Sequence, residues 1–314
     1  MKRFIINSLI FLVPFCLYCL WIILIDPFNY LNRSGLISDE QKEAVAMDIE
    51  PHLYKMIAFR NAPKNNWVIG DSRTNGLYEV MNHENWSNLA YGGASLKEMI
   101  QSFWWATSIH QPDTVLMGIN LSLYNKYNKR FWVEETISRK SNFFSYAFNN
   151  YTFKAAYSLV MAGEQAGDSA PEADDSADKI YFWEQKLKGV DKFYGKMAYP
   201  DEYFSQLKEI SVYCKKNDIK LIFWIPPLHQ DYQELVDRYE LEDYDDRFLS
   251  DLRSLGDVFN FNEKSSLTRN KDNFRDPVHF TNEIARMIHK EIRTYSPKNS
   301  IFYKEIDSRL SNFN

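Results

Sequence analysis

The stretch Asn66-Trp67-Val68-Ile69-Gly70-Asp71-Ser72-Arg73 decides the fold. Its first half is a short apolar run of the kind buried on both faces of a sheet. The run ends at Gly70, and glycine permits the sharp turn out of a strand. Ser72 is thereby carried to the carboxyl edge of the sheet that Trp67, Val68 and Ile69 help to build. Working outward, the same pattern recurs. Residues 86–90 precede Tyr91-Gly92-Gly93, residues 114–119 precede Asn120, residues 219–225 stop at Pro226-Pro227, and residues 258–261 form a short fifth run. Between them, residues 96–110 set Leu96, Met99, Ile100 and Phe103 on one helical face. Residues 284–292 read as an amphipathic helix capped by Thr281 and ended before Pro297. Short apolar strands alternating with helices predict the α/β class: a doubly wound, three-layer parallel sheet, with its site at the carboxyl ends of the strands.

Six positions, at those strand ends or just before the last helix, bear on chemistry. A serine hydroxyl is a weak nucleophile and needs a base, a group that orients the base, and donors for a developing oxyanion. Ser72 supplies the hydroxyl. Asp276-Pro277-Val278-His279 stands just before the last helix, and its carboxylate and imidazole are spaced to face one cleft and touch. Asn120 either donates its amide to an oxyanion or caps a turn. Gly93 either offers a bare N–H to a substrate or is an ordinary turn glycine. Asp71 reads as structural, bonding the turn.

Each signal is weak alone, but the order Ser, Gly, Asn, Asp-x-x-His is specific. At residues 66–293 the sequence resembles the SGNH/GDSL hydrolase superfamily, with Asn88 standing five residues before Gly93 as in the family's second block. The resemblance implies a flavodoxin-like fold and a catalytic set of Ser72, His279 and Asp276. It also implies an oxyanion hole of the Ser72 and Gly93 N–H groups and the Asn120 amide. Leu121, where many members have Asp, and Arg73, where the family name implies Leu, depart from the pattern and bear on substrate class. Two further residues are candidates for substrate binding. Arg73 either binds an anionic group or pairs with a carboxylate. His229, after Pro226-Pro227-Leu228, either contacts a ligand or is a solvent-exposed loop histidine.

The N-terminus sets the expected compartment. Residues 4–25 carry no charge, Lys2 and Arg3 precede them, and Asp26-Pro27 closes them. A helix of that length reaches about 33 Å, against a bilayer core of about 30 Å. With no small-x-small cleavage site after the run, it reads as an uncleaved, single-pass transmembrane anchor with the rest of the chain extracytoplasmic, in a periplasm or at the cell surface. The expected organisation is an anchor at 1–26, a connector at 27–64 with a helix near 39–59 capped by Ser38 or Asp39, an α/β domain at 65–296 and a tail at 297–314. A helical insertion at about 121–195 interrupts the domain, and it contains an acidic loop at 163–178.

Composition removes other classes. Net charge is −5, which disfavours nucleic acid as a partner. Of three cysteines, Cys16 and Cys19 lie in the apolar run, so the body has no disulfide framework. His83, His110 and His289 have no partners at ligand spacing, no phosphate-cradling glycine loop is present, and neither a metal nor a cofactor is expected. The combination of triad and anchor points to an esterase or O-acyltransferase acting on ester-linked acyl groups, acetyl foremost, of a cell-envelope polysaccharide. By analogy with similar single-span proteins, it would work beside a membrane-bound acyl-donor protein. Two other readings stay open: a non-catalytic glycan- or partner-binding adaptor in an export complex, and an anchored lipid esterase or thioesterase.

Overall fold

The computed structural model describes residues 2–33, 35–161 and 176–306, with the side chains of 2–11 and 176–180 outside that set. The chain divides into two compact units, 1–63 with 132–171, and 64–131 with 172–314.

The second unit is built on a six-stranded sheet. Its strands are β1 (Asn66–Gly70), β2 (Trp86–Ala90), β3 (Thr114–Gly118), β4 (Lys220–Ile225) and β5 (Asp257–Asn260), while β6 (Phe274–Asp276) and β7 (His279–Phe280) form a separate antiparallel pair. The sixth strand of the main sheet is β8 (Ile301–Tyr303), and the order is β2-β1-β3-β4-β5-β8. The first five strands are parallel and β8 is antiparallel to β5. With β1 between β2 and β3, the winding reverses beside β1, and the crevice at such a reversal is where ligands bind in open α/β sheets.

Alternation along the strands feeds two faces. Val68, Leu116, Ile222, Trp224 and Phe259 share one face with Leu77 and with Ile284, Ile288 and Ile292 of the helices Ser72–Tyr78 and Asn282–Thr294. The helices Leu96–Thr107, Asp201–Lys216 and Glu242–Leu255 pack against β1, β4 and β5. Two glycines let the helix Ser72–Tyr78 settle onto the sheet. A Cβ on Gly70 or on Gly118 would fall 2.1 or 2.0 Å from Thr74 Oγ1, far inside contact distance.

The first unit is helical. Its helices are Lys2–Ile25, Asp39–Ile49, Pro51–Asn61, Trp132–Arg139, Phe143–Ala147 and Asn150–Met161. Ile22, Phe28, Leu53, Ile57 and Tyr146 meet in its core. The single helix expected over 39–59 is two. Glu50 ends the first, and Pro51 begins the second, where a missing N–H costs nothing.

Among the described residues no helix is long and apolar enough to cross a membrane. The anchor expected over 4–25 falls partly outside them, since side chains are described only from Leu12 onward. Most of the acidic loop expected at 163–178 also lies outside the described residues, its last three positions opening the helix Ser176–Lys188.

Candidate active site

Ser72 is the first residue of its helix, directly after β1. Asp71 caps that helix, its carboxylate accepting the Arg73 N–H at 3.0 Å. The loop after β2 is tied to the same place, because the Tyr91 N–H donates to the Gly70 carbonyl at 3.0 Å. That tie brings Gly93 beside Ser72. Gly93 has φ +68°, in the left-handed region that side chains disfavour.

His279 arrives from the far end of the chain. Asp276 and His279 sit where β6 turns into β7, and Asp276 organises the turn. One carboxylate oxygen accepts the N–H groups of Val278 at 2.9 Å and His279 at 3.0 Å. The other accepts from His279 Nδ1 at 2.7 Å. With its proton held on Nδ1, the ring presents Nε2 as an acceptor, and Ser72 Oγ lies 2.8 Å from it. Burial raises the Asp276 pKa, but the bonds from His279 and from the Val278 N–H, with Lys186 at 3.9 Å, outweigh it and hold the carboxyl below its ordinary value.

The other sequence candidates lie as follows. Asn120 is buried under the site, its amide 3.4 Å from Asp71 and its carbonyl oxygen accepting from Ser122 Oγ. Of the two roles open to Arg73, the structure places it in carboxylate pairing. Its guanidinium is buried against Asp71, with Nε donating at 2.9 Å. Burial opposes the charge, yet Asp71 keeps the Arg73 pKa above its ordinary value. The exposed-loop reading of His229 is overturned, and His229 does not line the cleft either. It is 1 % exposed, packed edge-on to Trp183 and Phe274, with Nδ1 accepting the Asp231 N–H to cap the following helix. Burial lowers its pKa. Its backbone nonetheless serves the site, since the His229 N–H donates to the Pro277 carbonyl at 2.9 Å and holds the Asp276–His279 turn.

Two cavities flank the Ser72–His279 pair. One, of about 330 Å³, is lined by Ser72, Gly93, Arg130, Lys186, Lys192 and Tyr232 among others. The other, of about 230 Å³, is lined by Ser72, Gly76, Glu79, Arg275, Asp276 and His279 among others. Sequence reasoning missed Arg130, Lys186, Lys192 and Tyr232. No spacing links them to the motifs, and only the fold collects them. Tyr232 bonds to Ser122 and Tyr194, and burial raises its pKa.

No protein-family profile matches the chain, and no curated protein matches it. Solved structures similar to it include a Bacteroides fragilis protein described provisionally as an acylhydrolase. It is 11% identical, with 74% of this chain and 88% of that one covered and a TM-score of 0.37. Another is a Streptococcus pneumoniae protein described provisionally as a platelet activating factor. It is 10% identical, with 80% and 94% covered and a TM-score of 0.39.

Proposed function

We propose that this chain is an extracytoplasmic serine esterase or O-acyltransferase acting on acyl groups, acetyl foremost, of a cell-envelope polysaccharide. The observation that carries the reading is the continuous hydrogen-bond chain Ser72 Oγ, His279 Nε2, His279 Nδ1, Asp276, at 2.8 and 2.7 Å. Ser72 Oγ attacks the ester carbonyl as His279 takes its proton, and Asp276 stabilises the imidazolium. The N–H groups of Ser72 and Gly93 and the Asn120 amide receive the oxyanion. His279 returns the proton to the leaving alcohol, which departs and leaves an acyl-serine. Water or a sugar hydroxyl, deprotonated by His279, then releases the acyl group. The two cavities suit the two partners of such a transfer, one for each side of the scissile bond.

The anchored location is part of the proposal. It is supported by the uncharged run 4–25 and by apolar side chains left on the surface of the first unit. Leu12, Phe15, Leu17 and Leu20 are exposed on the first helix, as are Phe144, Phe148, Phe153 and Tyr157 nearby in sequence to one another. Phe15 stacks on Phe148 at 5.3 Å and Trp21 meets Phe153 at 5.8 Å, so the aromatic side chains continue the helix surface. A membrane-bound acyl-donor protein would supply the acyl group.

The test uses the detergent-solubilised full chain with a fluorophosphonate label and an acetyl chromogenic ester. Labelling and turnover are expected in the wild type and absent in Ser72→Ala. Equal behaviour of the two proteins, where a reference serine esterase reacts, would sink the catalytic reading and favour the adaptor.

A further inference from the structure

The first unit leaves open several aromatic rings that its own packing does not use. Residues 141–161 hold seven aromatic side chains, one lysine and no aspartate or glutamate. Tyr146, Ala147, Ala155 and Ala156 fill the core of the unit. Phe144, Phe148 and Phe153 are 45–59 % exposed, although each already touches the first helix. Phe144 and Phe148 lie against Phe15 at 6.3 and 5.3 Å, Phe148 against Tyr18 at 4.9 Å, and Phe153 against Trp21 at 5.8 Å. Phe144 and Phe148, four residues apart, share one side of their helical turn. From the other side the Tyr146 hydroxyl donates to Asp26 at 3.1 Å, just past the end of the first helix. The segment therefore turns one face towards the middle of the first helix and the other towards its end. Rings that stack on one helix and stay half open call for a second cover.

Two observations choose lipid as that cover. Leu12, Val13, Phe15, Leu17 and Leu20 are exposed too, and at about 100° per residue they spread over more than half of the helix circumference. A partner helix covers one stripe, whereas lipid covers every free side. The levels also agree. Tyr18 and Trp21 are of the types that collect at a membrane–water interface. Phe15 stands six residues, about 9 Å, from Trp21 towards the N-terminus. Rings packed on Phe15 thus reach the depth of about 5–10 Å at which interfacial helices bury their apolar faces. The exposed polar residues of 141–161 are Ser141, Asn142, Asn150 and Lys154, and none is anionic.

We propose that residues 143–153 form a second, non-spanning lipid contact in the extracytoplasmic leaflet. Phe144 and Phe148 lie among the acyl chains and Phe153 lies nearer the headgroups. The partner is the phospholipid bilayer itself. A lone span leaves its domain free to turn about the helix axis, and a second contact beside it fixes that rotation and the tilt. This rests on the anchored location proposed above and adds an element to it.

The experiment places the full chain, carrying Cys16→Ala and Cys19→Ala, in vesicles of phosphatidylcholine and phosphatidylglycerol. Cys214 is buried and stays. One cysteine is introduced by Phe148→Cys, Phe153→Cys or Leu17→Cys and labelled with the fluorophore NBD, and the chain without it serves as blank. Two quenchers are compared: phosphatidylcholine with a doxyl group on its acyl chain, and iodide on both sides of the membrane. Doxyl lipid is expected to dim the label at Phe148→Cys and at Leu17→Cys by about 2-fold and at Phe153→Cys by less, with little effect of iodide at Phe148→Cys. Quenching of Phe148→Cys by iodide alone, with Leu17→Cys quenched by lipid, would overturn the proposal and leave the anchor standing. Protection of Phe148→Cys from both quenchers would overturn it too, because a protein partner or a second copy would then cover the ridge. The anchored location fails separately, by the absence of lipid quenching at Leu17→Cys. Lipid quenching at Phe148→Cys in that case keeps the lipid contact without the span, and its absence removes both. Where a cysteine variant does not fold, photolabelling of the unsubstituted chain by a diazirine-bearing phosphatidylcholine decides. Adducts on peptides covering 143–153 support the contact, and adducts confined to the first helix overturn it.

Discussion

Two clefts open at the carboxyl edge of the same sheet, and they carry opposite charge. Beside β1 and β2 lies the cleft of Ser72 and His279, with Arg130, Lys186 and Lys192 in its wall. Beyond β4 and β5 lies a cavity of about 410 Å³ whose wall includes Asp237, Glu242, Asp245, Asp246 and Glu263, with Lys264. No serine, cysteine or histidine is among its described lining residues. The edge of a parallel sheet offers similar backbone positions at every strand end. Chemistry appears only where the loops add a hydroxyl, a base and an orienting carboxylate within bonding distance. In the acidic cleft carboxylates face carboxylates. There, burial first, then Asp246, Glu263 and Asp237, push the Asp245 pKa up to about 6. Beside the basic cleft, Asp276, bonded to His279, is held below its ordinary pKa by its bonds. One aspartate is organised for work and the other is under electrostatic stress.

That contrast can be broken at several points. The largest effect is expected from Ser72→Ala, which should lower kcat on the acetyl ester by about 10⁶-fold, read against the uncatalysed rate. Asp276→Asn should keep Ser72 in place but favour the wrong tautomer of His279, lowering kcat on the order of 10⁴-fold. Because Asp276 is depressed in the folded chain, it adds stability above the ordinary carboxyl range that is lost as pH falls through its folded value. The Asn variant should therefore lose thermal stability at neutral pH more than at pH 3. Asn120→Ala should cost about 10²-fold in kcat with KM little changed, as expected of a donor used in the transition state. A KM effect alone would make Asn120 a support for Asp71 and nothing more.

The smallest effect sharpens the other cleft. The folded pKa of Asp245 lies above its unfolded value, so its burial penalty is nil below about pH 4, grows towards pH 6 and is full above it. Asp245→Asn is expected to stabilise the protein by about 2 kcal/mol at pH 8 and not at pH 4, read as a pH-dependent difference in Tm. A variant less stable at both pH values would show that the carboxylate is satisfied in the fold.

The five parallel strands and both halves of the site were legible because each depends on local pattern. Val68 and Ile69 are apolar wherever they are buried, and an Asp-x-x-His turn is readable as four letters. The β8 strand was not, since Ile301, Phe302 and Tyr303 are too few to show a period and lie in what reads as a tail. The break at Glu50 had a local signal in Pro51 that the helical pattern around it obscured. The burial of His229 had none, because Trp183 and Phe274 reach it from 46 residues before and 45 after. Arg130, Lys186 and Lys192 were equally hidden. Isolated cations are the commonest surface residues, and only the folded chain gathers these three around one serine.

The seat beneath the helix Ser72–Tyr78 has a consequence for how the protein can change. Thr74 drops into a notch made by Gly70 and Gly118 on adjacent strands, one turn or less from Ser72. The height of Ser72 above the sheet is thus gauged by two side chains that stop at hydrogen, as a key's depth is set by the cut beneath it. The walls of the cleft hold exposed side chains such as Lys192, which can be exchanged without moving the sheet. The notch admits no such drift. A single methyl would lift the helix, and a shift of about 1 Å at a reacting atom can cost 10²-fold in rate. Variation in this protein should therefore be free around the cleft and frozen under it.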